Sequence, residues 1–395
     1  MKKKIALIIE RSTIALGGAE RSVFEMSLAL SAMDYKVDIL AAKGQTKAGH
    51  IHILCSKKPG KRTGYFTFAK ALKKHFAQNE YDIIHSVLPL EFADVYQPRG
   101  GTYAESIIQN AASYQNKFFE NYKKVTAFAN FNRTALLRAE KKLCKDPNGP
   151  IVVALSNYVA DQFKRHYNLD DSRLVLIPNG IKTAKQFQAD TADKLRSQIL
   201  AHMNLTEAQD PTLFLFVANN FRLKGLTPLM KAFQIVLQNK TPRPAYLVIA
   251  GHGRSHKFRL LARSLKIHKR IIFLGKIRHI QNALSIVDAA VLPTFYDPSS
   301  RFVLEALIAA KPVITTSFNG ASDMFIDGRH GKVIDEPGNV AALADAIRFY
   351  TDPENINKAS QAIIHDNIEE KISITRVANQ LNSLYDSILA GKKRL

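Results

Sequence analysis

Two cysteines, Cys55 and Cys144, are all that the 395 residues contain. They cannot build a disulfide framework and lack metal-type spacing, so a reducing cytoplasm is the expected compartment. Equally absent is any apolar run approaching the ~18–20 residues that span a bilayer. Glu10 and Arg11 also interrupt the opening stretch before it can form a signal-peptide core. A cytoplasmic chain that is not exported is predicted. Acids are scarce: 34 Asp and Glu stand against 56 Lys and Arg, giving a formal charge of +22 and a pI near 9.8. That excess calls for a polyanionic partner, whether nucleic acid, an anionic membrane surface or a phosphorylated substrate. Helix-turn-helix, zinc-finger and RNA-binding motifs are missing and the basic residues are dispersed, which weighs against a specific nucleic acid. A basic nucleic-acid binder stays as the alternative of another class.

What is present is alternation. Apolar runs at 5–9, 37–42, 83–87, 151–155 and 174–177 are separated by amphipathic segments. After a polar interval around 182–211 the pattern restarts at 213–218, 246–250, 271–274, 289–292 and 313–315. Strands alternating with helices predict parallel α/β sheets, and the break predicts two Rossmann-like domains, 1–180 and 181–371. Residues 372–395 carry apolar positions at helical spacing and are expected to form a helix that caps the second domain or crosses back to the first.

Open parallel sheets bind ligands beyond the carboxyl ends of their strands. Asp297 and Glu305 straddle such an end and the start of the following helix. Arg301, Phe302 and Val303 open that helix, where unbonded N–H groups attract phosphate. An acid before the helix reaches sugar hydroxyls and one inside it reaches a ribose, which suits a nucleoside diphosphate-sugar laid across the helix tip. Arg222 and Lys224 follow the run 213–218 and supply cations for a diphosphate. Asp-x-Asp, which holds a divalent cation on such a diphosphate, does not occur, so no metal is expected.

Gly17 and Gly18 precede a helix and allow close approach to a ligand. Gly251 and His252 follow the run 246–250, and Arg99 occupies a loop after the run 83–88. Lys57, Lys58, Lys61, Arg62, Lys70, Lys73 and Lys74 fall in a stretch without acids, a local anion patch. Between 103 and 145, Tyr114, Phe118, Phe119, Tyr122, Phe128 and Phe131 interleave with lysines and arginines, a pattern suited to an anionic membrane surface.

In order along the chain, Gly17-Gly18-Ala19-Glu20-Arg21, Ile177-Pro178-Asn179-Gly180-Ile181, Phe221-Arg222-Leu223-Lys224-Gly225, Gly251-His252-Gly253, Phe273-Leu274-Gly275, the 297–305 segment, Asn319-Gly320 and Asp327-Gly328 resemble the retaining GT-B glycosyltransferases of family 4. The stretch from Asp94 to Glu105 and the basic-aromatic segment after it are similar to lipopolysaccharide-core glucosyltransferases acting on inner-core heptose. The resemblance implies two Rossmann-like domains facing a central cleft. It implies a UDP-sugar donor, a phosphorylated glycolipid acceptor, a metal-independent front-face mechanism and a place peripheral to the inner membrane. It makes Arg222, Lys224 and Asp297 catalytic, with Gly17, Gly18, Gly251, His252, Arg301, Phe302, Val303 and Glu305 on the donor and Arg99, Lys57, Lys58 and Arg62 on the acceptor. A sugar-nucleotide epimerase or a soluble-acceptor transferase is the alternative within that fold. Two departures bear on specificity: Asp297 stands where the family has glutamate, and Ser299-Ser300 where it has Phe-Gly.

Overall fold

The computed structural model describes the chain except residues 1, 14–16, 45–48, 57–62, 128, 183–187, 278 and 393–395. It divides into two compact units: Met1–Ala111, Asn121–Lys182 and Ser373–Leu395 in the first, Ala112–Glu120 and Thr183–Ile372 in the second.

Among the described residues, the first unit holds β1 (Lys4–Arg11), β2 (Lys36–Lys43), β3 (Ile51–Ser56), β4 (Ile83–Ser86), β5 (Val95–Tyr96), β6 (Ile151–Ala154) and β7 (Leu174–Leu176). They form one parallel sheet in the order β3-β2-β1-β4-β5-β6-β7. Strands covered on both faces must be apolar throughout, as β1 is from Ile5 to Ile9. Its side chains alternate between two cores: Ile5, Leu7 and Ile9 enter one, Ala6 and Ile8 the other.

The terminal helix Ile374–Lys392 puts Val377, Ala378, Leu381, Leu384 and Tyr385 into the first of those cores, so it packs on the N-terminal sheet. Its entry explains the Pro-Asn-Gly connection. Arg376 donates to the carbonyls of Pro178 (2.6 Å) and Asn179 (3.3 Å), and a Cβ on Gly180 would lie 2.7 Å from the Ser373 carbonyl oxygen.

The second unit holds β8 (Thr212–Val217), β9 (Ala245–Ala250), β10 (Ile271–Gly275), β11 (Ala289–Leu292), β12 (Val313–Thr316) and β13 (Gly331–Ile334). The sheet is parallel, ordered β10-β9-β8-β11-β12-β13. The order reverses between β8 and β11. Such a switch point opens a crevice outside the strand ends, because the two following loops turn away to opposite sides.

Candidate functional site

Both sides of that crevice are built from sequence-predicted residues. After β8 the chain turns through Phe221 to Gly225 into the helix Leu226–Leu237. Gly225 has φ +79°, and a Cβ there would sit 1.8 Å from the Pro293 carbonyl oxygen, so the turn requires glycine. The Leu223 carbonyl accepts from the Phe295 N–H at 2.9 Å and from Thr294 Oγ1 at 3.3 Å, which stitches the β8 loop to the β11 loop. Lys224 is thereby aimed across the switch point. Its Nζ donates to the Asp297 carboxylate at 2.6 Å and to the Tyr296 carbonyl at 2.8 Å. The two side chains are 21% and 15% exposed, so solvent reaches the pair without dissolving it.

Asp297 is held by backbone from a third loop: its N–H donates to the Phe318 carbonyl, and its carbonyl accepts from the Gly320 N–H, both at 2.9 Å. Asn319, wholly buried, organises this corner. Its Oδ1 accepts from the N–H groups of Ser300 (3.2 Å) and Ala321 (3.1 Å), while its Nδ2 donates to Thr315 Oγ1 (2.9 Å). Ser300 is the N-cap of the helix Arg301–Ile308 without bonding it through its side chain. The N–H groups of that first turn have no partner within the helix and point outward at its tip. Beside them Ser299, 8% exposed, has a buried hydroxyl without a hydrogen-bond partner, while its N–H donates to Asp297 Oδ1 at 3.3 Å. Glu305, one turn further on, lies 3.6 Å from the Arg301 guanidinium.

Arg222 does not share this corner's contacts. Its guanidinium donates to Ser113 Oγ and stacks 3.8 Å from the centre of the Tyr114 ring, and burial pushes its pKa down. Ser113 and Tyr114 belong to the short segment 112–120 that groups with the second unit. Tyr114, expected in the membrane-facing pattern, is a packing partner of an arginine instead. Sequence reading missed this pairing, since nothing in the pattern separates an interfacial tyrosine from one covered by a distant guanidinium.

Gly251 has φ +131°, and a Cβ there would lie 1.8 Å from the Ala218 carbonyl oxygen; one on Gly253 would strike the Phe221 ring at 2.4 Å. These glycines let the β9 loop press on the β8 loop. His252 between them is exposed.

In the first unit, Gly17 is the N-cap of the helix Gly18–Ser31 with an extended backbone that any residue adopts. Glu20, in that helix's first turn, pairs with Arg11 at 2.9 Å. Arg99 follows β5, not the strand at 83–86; two more residues after Asp94 pair with β4 and β6 and place it one strand further along. It donates to Gln97 Oε1 (3.2 Å) and Asn179 Oδ1 (3.0 Å). His85 is wholly buried with Nδ1 2.6 Å from the Tyr385 hydroxyl, and burial together with the Arg99 charge lowers its pKa to about 3. It is neutral near pH 7. Lys57, Lys58, Lys61 and Arg62 lie outside the described residues. No described helix is long and apolar enough to cross a membrane.

Both units match models of known families. Residues 16–185 match the model "Glycosyltransferase Family 4" and residues 199–366 match "Glycosyl transferases group 1". The chain is 21% identical to the lipopolysaccharide glucosyltransferase WaaG of Escherichia coli over 73% of this chain and 72% of that protein. A crystal structure of WaaG, a glycosyltransferase involved in lipopolysaccharide biosynthesis, superimposes with a TM-score of 0.74 at 17% identity, covering 96% of this chain and 99% of WaaG. Anabaena HepE in complex with UDP-glucose superimposes with a TM-score of 0.69 at 14% identity, covering 97% and 99%.

Proposed function

The chain is a glycosyltransferase of the GT-B fold, carrying a family 4 domain followed by a group 1 domain, and we propose that it moves a hexose from a UDP-sugar, with retention and without a metal, to a lipopolysaccharide-core or related phosphorylated glycolipid. The observation that carries this reading is the Lys224–Asp297 pair beside the tip of the Arg301–Ile308 helix at the switch point of the second sheet. A departing UDP needs positive charge near its β-phosphate; Lys224 and the helix-tip N–H groups supply it, and Arg222 adds a second cation two residues away. Asp297 accepts from the sugar hydroxyls and Glu305 from the ribose. In the transfer, the bond from the anomeric carbon to the β-phosphate oxygen breaks. The acceptor oxygen bonds the same face of that carbon, and its proton passes to the leaving phosphate. No carboxylate nucleophile is needed.

UDP as the donor nucleotide is supported by HepE, whose structure holds UDP-glucose, and the glycolipid acceptor by the likeness to WaaG. Gly17, Gly18, Gly251 and His252 complete the donor loops in this reading, and Arg99 serves the acceptor. The enzyme works at a membrane surface, for which the helix Lys117–Ala127 exposes Phe118, Phe119, Tyr122 and Val125 beside Lys117, Lys123 and Lys124.

A panel of UDP-sugars tests the reading by thermal unfolding and by donor hydrolysis. One donor at a hundredfold excess over its Kd adds about 2.7 kcal/mol, a rise in Tm of roughly 5–10 °C for a unit of this size. Glu305→Ala abolishes that rise. If no UDP-sugar shifts Tm or is turned over, the donor assignment fails.

A further inference from the structure

In the first unit, the helices Tyr65–Phe76 and Phe131–Lys145 flank an open groove of about 650 Å³. That volume lies within the ~300–1,000 Å³ typical of ligand sites. Each helix contributes one stripe: Tyr65, Ala69 and Lys73 from the first, Phe131, Ala135, Arg138, Ala139 and Lys142 from the second. The spacing of three, four and seven residues puts each set on one helical face. Small residues at 69, 135 and 139 leave room between the two helices, and Leu90 and Phe92 complete the lining.

The mouth carries two features that a merely imperfect core would not retain. Phe66 and Phe131, 62% and 74% exposed, stand open to solvent at its edge. Three cations, Lys73, Arg138 and Lys142, line it with one acid, Glu91, and that acid is taken by Lys142 at 2.9 Å. Lys73 and Arg138 are left over. An apolar slot under two uncompensated cations is complementary to a molecule with a hydrocarbon tail and one negative head.

We infer that this groove seats an acyl chain of an anionic membrane phospholipid, with the headgroup phosphate on Lys73 and Arg138. Burial of the chain contributes apolar contact and the cations choose the headgroup. The exposed aromatics of the Lys117–Ala127 helix then lie on the surface, while this groove takes up a single lipid.

Vesicles of phosphatidylglycerol in phosphatidylcholine, doped with a phosphatidylglycerol carrying a diazirine on its acyl chain, test the inference with the full chain. Cross-links mapped by mass spectrometry are expected at Ala69, Ala135 or Ala139. Ala139→Phe, which fills the groove, removes them while leaving donor hydrolysis and Tm near the parent values; Ala135→Trp is the second filling variant. Lys73→Gln with Arg138→Gln lowers partition onto the anionic vesicles roughly thirty-fold, and Phe118→Ser with Tyr122→Ser lowers partition but keeps the groove cross-links in the bound fraction. Cross-links confined to 117–127, equal labelling from phosphatidylcholine vesicles, or labelling by a diazirine glycolipid but not by phosphatidylglycerol would each overturn it. Because the readout is lipid labelling, failure here leaves the donor reading untouched, and failure of the UDP-sugar panel leaves this one standing.

Discussion

Replacing Lys224 with alanine separates the two things that lysine does. In the unliganded protein it neutralises Asp297 at 2.6 Å and ties down the Tyr296 carbonyl. Removing one member of a buried ion pair costs about 3–5 kcal/mol. With 21% and 15% of these side chains in contact with solvent, water recovers part of that and roughly 1–3 kcal/mol is expected. This corresponds to a fall in Tm of roughly 2–12 °C for a unit of this size. Lys224→Met combined with Asp297→Asn should regain most of it, since no uncompensated charge is left. Catalysis responds differently. Losing one preorganised electrostatic contact to a developing oxyanion costs about 10²–10³ in kcat, and the double variant cannot regain that. Steady-state kinetics with the UDP-sugar found in the panel, alongside thermal unfolding of both variants, makes the comparison. If the double variant recovers stability and also turns over within about fivefold of the parent, Lys224 is a structural counter-ion and the phosphate role assigned to it is refuted.

Asn319→Ala strands the Ser300 and Ala321 N–H groups in a buried corner; at about 1–3 kcal/mol per unsatisfied group it should lower Tm by more than Lys224→Ala and weaken donor protection, both readable in one unfolding experiment. Glu140, wholly buried and bonded by Tyr96 (2.7 Å), Tyr167 (2.5 Å) and the Tyr103 N–H (2.8 Å), has its pKa raised by burial from 4.5 to about 7. A carboxyl raised on folding stabilises fully below pH 4.5 and loses that contribution as pH climbs through 7. The loss is on the order of 3 kcal/mol, and Glu140→Gln should flatten this part of the stability profile when urea unfolding is followed from pH 4.5 to 8; an unchanged slope would place the titration elsewhere.

The strands were legible because they are buried on both faces and therefore read as unbroken apolar runs; 289–292 is the same in the sequence and in β11. Val95–Tyr96 is not legible, since two residues carry no period, so the sequence pattern places Arg99 after the run 83–88 and the structure places it after β5. Lys224, Asp297 and the 301–308 helix were found by their order after strands. Their ion pair was not, because a loop's backbone bonds, here through Leu223, Phe318 and Gly320, decide where its side chains point. In the sequence Asn319 is one residue of a loop motif and Ser299 a departure from the family pattern. A buried amide that bonds three neighbours looks in the sequence like any polar turn residue.

Periodicity, glycine placement and motif order, all local properties of the chain, determined two parallel α/β units and the loops that hold the chemistry. Tertiary structure alone decided which side chains come together: Lys224 with Asp297, Arg222 over Tyr114, and Lys73 and Arg138 as linings of one groove. Electrostatic pairing falls off within a few ångströms and burial depends on what covers a residue, and neither distance nor cover is encoded in spacing along the chain.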